Sequence, residues 1–214
     1  MISYECRSIF VHIPKTGGTS IEKIIWPNNE DRSVTNLCMG LVSEFRNKYQ
    51  TGGLQHLLAR QILQEVGREV FHDFFKFTIV RNPWDRAVSQ YLYMQERKDL
   101  RRFLGLSETD CFKKYLALIQ KKEHVQWESQ HKFILDENEE VMVDYIGRFE
   151  RFDDDVTCIL NEIGAKNAVD FKANVIPHLK KSTRSHYRDY YDSEASEMVA
   201  HIYSKDIERF GYAF

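Results

Sequence analysis

The stretch Ser8-Ile9-Phe10-Val11-His12-Ile13-Pro14-Lys15-Thr16-Gly17-Gly18-Thr19-Ser20 decides the fold of this chain. Residues 8–13 are rich in β-branched and aromatic side chains, which is typical of a buried strand, and Pro14 ends that strand. Two glycines follow, and apolar residues then recur at helical spacing, at Ile21, Ile24 and Ile25. The order predicts a strand, a glycine loop and the start of a helix.

A glycine loop between a strand and a helix is suited to bind an anion. Glycine lets the backbone approach a phosphate closely, and the unpaired amides of the first helical turn point toward it. Lys15 adds a mobile positive charge, and Thr19 and Ser20 add hydroxyl donors. We therefore predict that residues 14–20 surround a phosphate-like group.

The position of the lysine separates this loop from the Walker A loop. In the Walker pattern Gly-x-x-x-x-Gly-Lys-Ser/Thr the lysine follows the glycines, whereas Lys15 precedes Gly17 and Gly18. The sequence also shows no clear strand that ends in an Asp suited to bind Mg²⁺. We therefore predict that the ligand is bound without a metal.

A second strand-to-helix junction lies at residues 74–92. Residues 74–80 form a buried-strand pattern, and Pro83 is suited to the first turn of a helix. An apolar stripe marks that helix at Trp84, Val88, Tyr91 and Leu92. Arg81 follows the strand directly, and its planar guanidinium can bind a phosphate through two hydrogen bonds.

The remaining pattern predicts the fold class. Helical spacing recurs at residues 54–66, 108–121, 153–164 and 199–207, and residues 141–146 have the pattern of a strand. Strands that alternate with helices predict an α/β, three-layer, P-loop-like domain with a mainly parallel central sheet flanked by helices. A chain of 214 residues without repeats or a linker is predicted to be a single domain over residues 1–214.

Composition excludes several classes of protein. A net charge of −2 argues against a general nucleic-acid binder. Residues 1–7 lack the apolar run of a signal peptide, and no stretch approaches the ~20 apolar residues of a membrane span. Four cysteines lie far apart, at Cys6, Cys38, Cys111 and Cys158, which favours free thiols. We predict a cytoplasmic protein with no integral membrane segment.

The two junctions together resemble one family. Pro-Lys-Thr-Gly-Gly-Thr-Ser after a Phe-Val-His-Ile strand resembles the 5′-phosphosulfate loop of sulfotransferases that use 3′-phosphoadenosine-5′-phosphosulfate (PAPS). The resemblance is strongest to the branch that contains many carbohydrate sulfotransferases. It implies that PAPS is the sulfonate donor and PAP the product, without a metal. The resemblance favours a hydroxyl group on a carbohydrate or glycolipid as the acceptor, and a small-molecule alcohol or phenol stays open as the alternative.

The resemblance also implies roles for individual residues. The cofactor-binding residues in the first junction are Lys15, Thr16, Gly17, Gly18, Thr19 and Ser20. In the second junction Arg81 and Ser89 correspond to the residues that bind the 3′-phosphate. Residues 180–184 resemble a loop that closes over the nucleotide, which adds Ser182 and Arg184. Lys15 is further expected to take part in catalysis by stabilising the bridging oxygen as the sulfonate leaves.

Sulfonate transfer also requires a base for the acceptor hydroxyl. His56 begins the helix between the two junctions, where the catalytic histidine of the carbohydrate branch also falls, and we predict that it is this base. His131 is the alternative, since residues 127–131 resemble an acceptor-side loop. His12 lies in the predicted strand and is expected to be a core or supporting residue.

Two other functions remain open on the sequence. A P-loop nucleotide kinase or NTPase would bind ATP with Mg²⁺, whereas the sulfotransferase would bind PAP tightly without a metal. A non-catalytic nucleotide-binding module would keep both junctions but would have lost its base.

Overall fold

The structure is a computed structural model that describes residues 1–25, 54–167 and 185–214. The described chain falls into two compact units. Met1–Val80 and Lys132–Lys181 form the first unit, and Arg81–His131 and Ser182–Phe214 form the second. That the chain is a single domain over residues 1–214 stays a prediction.

Four strands are present in the described residues, and all belong to the first unit. They are β1 (Ile2–Ser3), β2 (Ser8–Phe10), β3 (Phe75–Val80) and β4 (Tyr145–Arg148). They lie side by side in the order β1-β2-β3-β4. β1 is antiparallel to β2, whereas β2 with β3 and β3 with β4 are parallel pairs. The sheet is therefore small and mixed.

The described α-helices are α1 (Gly18–Ile25), α2 (Ala59–Val66), α3 (Arg68–Asp73), α4 (Pro83–Glu96), α5 (Lys98–Leu104), α6 (Phe112–Ile119), α7 (His131–Ile134), α8 (Phe152–Asn167), α9 (Ser193–Ile202) and α10 (Ser204–Phe210). Short 3₁₀ turns lie at Leu54–His56, Val125–Trp127, Phe149–Arg151 and Tyr187–Tyr190. Strands and helices together confirm the predicted α/β class.

The core of the first unit lies on the two central strands. Every residue of β3 is buried, as its continuous apolar pattern predicts. The rings of Phe10 and Phe77, which are paired across β2 and β3, stack with centroids 5.0 Å apart. Gly147 lets β4 pack closely, because a Cβ at that position would lie 2.5 Å from Ile79 Cδ1.

Asp155 joins α8 to β4 within the same unit. Its carboxylate accepts hydrogen bonds from the Arg148 main-chain N–H at 2.6 Å and from the Tyr145 hydroxyl at 3.2 Å. Asp155 is 3% exposed, so these bonds compensate for the burial of its charge. Burial and Asp155 together raise the pKa of Tyr145 to about 12.

The second unit is helical in its described part. α4 begins at Pro83, and Asn82 Oδ1 caps it by accepting hydrogen bonds from the main-chain N–H groups of Trp84 and Asp85. Buried side chains of this unit form one apolar cluster, which includes Trp84, Val88, Leu104, Phe112, Tyr115, Leu116, Trp127 and Val199. The cluster explains why the apolar stripe of α4 faces inward.

Several element boundaries differ from the sequence expectations. The strand expected at residues 8–13 ends at Phe10, and the helix expected from residue 54 begins at Ala59, so His56 lies in the 3₁₀ turn before it. The strand expected at residues 141–146 lies at Tyr145–Arg148, because these residues pair with Phe77–Val80 of β3. The helix expected to end at Gly164 continues to Asn167. The helix expected across residues 199–207 is divided at Tyr203, whose hydroxyl donates to the Trp127 carbonyl oxygen at 2.9 Å.

Three expectations based on sequence composition have different outcomes. Cys6, Cys111 and Cys158 are free thiols, as expected, and Cys38 lies outside the described residues. In residues 1–25, 54–167 and 185–214 no helix has both the length and the apolar character that crossing a membrane requires. The cytoplasmic location stays a prediction.

Candidate functional site

The loop between β2 and α1 is shaped by its own main chain and by one hydroxyl. Thr16 is fully buried, and its Oγ1 donates a 2.8 Å hydrogen bond to the Ile13 carbonyl oxygen. Gly17 has φ +92°, and Lys15 has φ +69°, which is the left-handed region. A lysine held in this region costs about 1–3 kcal/mol, and such strain is often found at functional loops.

Both glycines of the loop are required by aromatic rings that touch them. A Cβ on Gly17 would lie 2.6 Å from Phe152 Cε2 and 3.3 Å from Phe149 Cδ2. A Cβ on Gly18 would lie 1.9 Å from His12 Nε2. The sequence predicts that these glycines let the main chain approach a phosphate. The structure shows a second reason for glycine, because side chains of the protein occupy the space that a Cβ atom would need.

His12 lies directly beneath the loop, two residues beyond the last residue of β2. Its ring stacks on Phe10 with centroids 5.0 Å apart, and the residue is 6% exposed. Burial holds the pKa of His12 well below its ordinary value, and the neighbouring His56, the chain's amino group and Lys15 lower it further. His12 is therefore a neutral supporting residue at neutral pH, in line with the sequence expectation.

His56 is oriented by the main chain of His12. Its Nδ1 lies 3.0 Å from the His12 carbonyl oxygen, and the two rings are 4.6 Å apart between centroids. Because a carbonyl oxygen only accepts hydrogen bonds, Nδ1 of His56 donates, and Nε2 of the neutral ring carries the lone pair. The structure thus brings His56, His12 and the glycine loop together in the first unit.

A carboxylate also lies beside these histidines. Glu22 of α1 is buried, and its Oε1 lies 3.7 Å from His12 Nδ1 and accepts a 3.4 Å hydrogen bond from Gln55 Nε2. Glu22 is four residues past Gly18 in a helix whose apolar stripe gave no sign of it. Sequence reasoning missed this residue.

Arg81 and Ser89 lie in the second unit. Arg81 follows the last residue of β3, is 7% exposed, and donates through Nε and Nη2 to Asp85 Oδ2 at 2.8 and 2.7 Å. Ser89 lies within α4 and is partly exposed. In the glycine loop between β2 and α1, the two predicted hydroxyl donors differ in exposure, since Thr19 is exposed and Ser20 is buried.

His131, the alternative base, also has an oriented ring. Its Nδ1 lies 2.6 Å from Asp206 Oδ1 and donates a hydrogen bond to this carboxylate, which fixes the orientation of the ring. Asp206 is fully buried, and it lies 75 residues from His131 in the chain. Each candidate base is thus held through Nδ1 by an acceptor, His56 in the first unit and His131 in the second.

Two of the predicted cofactor-binding residues belong to the part of the chain that the structure does not describe. Ser182 and Arg184 lie outside the described residues. Within the ranges that the structure describes, no three or more His, Cys, Asp or Glu side chains are grouped so as to hold a metal ion.

Comparison with known proteins decides the family. The model of a family described as the sulfotransferase family matches residues 1–213. The chain belongs to the sulfotransferase family. The resemblance seen in the two junctions, including its carbohydrate sulfotransferase-like branch, is confirmed.

Two relatives show how far the similarity extends. This chain is 24% identical over 252 aligned residues to carbohydrate sulfotransferase 10 of Xenopus laevis. The alignment covers 99% of this chain and 66% of that protein. The chain thus spans slightly less than two thirds of the length of this curated relative. It is 29% identical over 116 residues to an uncharacterized protein of Archaeoglobus fulgidus, covering 54% of this chain and 89% of that protein. No solved structure matches the chain significantly.

Proposed function

We propose that this sulfotransferase moves a sulfonate group from PAPS to a hydroxyl group of a carbohydrate or glycolipid and releases PAP. The observation that carries the proposal is the buried His56, whose ring is oriented by the His12 carbonyl next to the glycine loop. The carbohydrate acceptor is supported by the name of the Xenopus relative, carbohydrate sulfotransferase 10. With this function we propose the three-layer, P-loop-like architecture of the sequence expectation.

The residues of the loop fit a doubly charged anionic group. The main-chain amides at the start of α1 point along the helix axis, where the helix dipole favours negative charge. Lys15 supplies a cation, and Thr19 and Ser20 supply hydroxyl donors. We propose that these groups bind the 5′-phosphosulfate, while Arg81 and Ser89, with Ser182 and Arg184, bind the 3′-phosphate.

His56 is proposed to move the proton of the acceptor hydroxyl. When bound, PAPS supplies the sulfonate that the acceptor oxygen takes up. Nε2 of His56 accepts the hydroxyl proton, and the His12 carbonyl stabilises the positive ring that results, because Nδ1–H continues to donate to it. Lys15 stabilises the negative charge that develops on the leaving oxygen.

The proposal separates binding from proton transfer, and two sets of variants test this. His56→Ala is expected to abolish transfer from radiolabelled PAPS while leaving the dissociation constant of PAP nearly unchanged. Lys15→Ala and Arg81→Ala are instead expected to weaken PAP binding by several kcal/mol between them, because each charged hydrogen bond contributes about 1.5–3 kcal/mol. Calorimetric titration with PAP and a transfer assay against glycans, glycolipids and phenols measure the two effects.

His131→Ala is the matched control, since it removes a second buried histidine with an oriented ring. Loss of transfer in His131→Ala, with normal turnover in His56→Ala, would refute the assignment of the base. ATP binding that requires Mg²⁺ would favour the kinase alternative. PAP binding without transfer to any acceptor would favour a nucleotide-binding module.

A further inference from the structure

Arg81 lies at a point where the β-sheet no longer fixes the main chain. The parallel ladder between β3 and β4 ends with Val80 opposite Arg148. Arg81 is the next residue, and it is 7% exposed. Since buried main-chain groups need hydrogen-bond partners, its N–H and C=O require a partner beyond this ladder.

The side chain of Gln130 is that partner. The Arg81 N–H donates to Gln130 Oε1 at 2.8 Å, and Gln130 Nε2 donates to the Arg81 carbonyl oxygen at 2.8 Å. Gln130 is completely buried. Its planar amide thus pairs with both sides of one residue, as a neighbouring strand would, and fixes the direction in which the Arg81 side chain leaves the main chain.

Asp206 of α10 in turn holds the main chain at Gln130. Its Oδ2 accepts from the Gln130 N–H at 2.7 Å, and its Oδ1 accepts from the His131 N–H at 2.8 Å. Asp206 is also completely buried. Hydrogen bonds to a buried carboxylate are short and strong, so this group anchors the segment that presents the Gln130 amide.

The far end of Arg81 is held as well. Asp85 Oδ2 accepts from both Nε and Nη2 of the guanidinium. The arginine is therefore fixed at its main chain by Gln130 and at its head by Asp85. An arginine held in this way loses little freedom when it binds an anion, because its position is already set.

We infer that Gln130 and Asp206 are positioning residues that aim Arg81 and thereby set the preference of this protein for a nucleotide with a 3′-phosphate. The inference rests on the proposed function, in which Arg81 binds that phosphate. It gives the hydrogen bonds from the Gln130 and His131 main-chain N–H groups to Asp206 a role in anchoring the segment before α7.

Gln130→Met tests the inference because it keeps the length of the side chain and removes both hydrogen bonds to Arg81. The readout is the ratio of two dissociation constants, for PAP and for 5′-AMP, which lacks the 3′-phosphate. We expect PAP to bind about tenfold more weakly and 5′-AMP to bind unchanged, so the ratio falls about tenfold. Asp206→Asn, which weakens the anchor and keeps its shape, is expected to lower the ratio in the same direction.

Gln90→Met is the matched control in the same unit. Gln90 is 2% exposed, and neither atom of its side-chain amide has a hydrogen-bond partner among the described residues. This variant is expected to keep the full ratio. If Gln130 contributes to stability alone, Gln130→Met should weaken the binding of PAP and of 5′-AMP by the same factor. The ratio of their dissociation constants would then be unchanged. If Gln130→Met does not fold, Gln130→Glu, which keeps an acceptor for the Arg81 N–H, gives the same readout.

The outcomes separate the inference from the function on which it rests. If the protein without substitutions binds PAP and 5′-AMP equally, the proposed function is refuted, and the inference is refuted with it. A normal protein that prefers PAP, with Gln130 variants that keep this preference, would overturn the inference alone.

Discussion

Gly18→Ala places a methyl group where the structure has the ring of His12. The new Cβ would lie 1.9 Å from Nε2, 2.3 Å from Cε1 and 2.4 Å from Cδ2 of that ring. Favourable contacts between such atoms lie at about 3.5–4.0 Å, so the loop and the ring must separate by roughly 1.5 Å. The ring has little room to move, because it is buried and stacked on Phe10.

Two opposing effects decide the stability of this variant. Overpacking of a buried site costs about 1–3 kcal/mol. Alanine is favoured over glycine in a helix by at most about 1 kcal/mol, and Gly18 is only the first residue of α1. The clash therefore dominates, and we expect Gly18→Ala to lower the free energy of unfolding and to weaken PAP binding through displacement of the loop.

Urea denaturation of the single and double variants measures the effect. In His12→Ala/Gly18→Ala the ring is absent, so the methyl group is tolerated. The double variant should then be more stable than the sum of the single changes predicts, by about 0.5–3 kcal/mol. Additive changes, or a Gly18→Ala variant as stable as the normal protein, would refute the packing argument.

The remaining predictions concern stability. Folded His12 has a pKa well below the value of 6.5 that applies to an unfolded chain. The unfolded state therefore binds a proton that the folded state does not bind, and stability falls as the pH drops below about 6.5, by up to ~1.4 kcal/mol per pH unit. His12→Gln is expected to lose this part of the slope in denaturation measured between about pH 5 and about pH 8. Asn82→Ala removes the cap of α4 and the 2.9 Å hydrogen bond to the Ala213 carbonyl oxygen, and it should lower the free energy of unfolding by about 1–2 kcal/mol. Asn82→Asp keeps the capping oxygen, so thermal denaturation should show a smaller loss for Asp than for Ala.

Short sequence patterns predict most of the strands and helices of the fold. The change from apolar runs to glycine or proline marks where β2 gives way to α1 and where β3 gives way to α4, since these residues determine the main-chain conformation themselves. The sequence does not predict the short β1, because two residues are too few to show a periodic pattern. The apolar spacing continues through Tyr203 and therefore predicts one helix where the structure has α9 and α10.

Contacts between residues that are far apart in the sequence cannot be predicted from such short patterns. Gln130 and Arg81 are 49 residues apart, and Gln130 and Asp206 are 76 residues apart. Hydrogen bonds over such separations leave no local pattern, and Gln130 and Asp206 look like ordinary polar residues of a surface in the sequence. The orientation of His56 was equally hidden, because its partner is a main-chain carbonyl that any residue at position 12 would provide.

Because Gly18 contacts the His12 ring, the residue allowed at either of these two positions depends on the residue at the other. A ring at position 12 permits only glycine at position 18, and a smaller side chain at position 12 releases that restriction. During divergence, a substitution at position 18 is therefore tolerated only after the ring has been lost, and the order of the two changes is constrained. Related sequences should thus show correlated replacement at these two positions, and a chain with a bulky residue at both is expected to have a different conformation of the glycine loop.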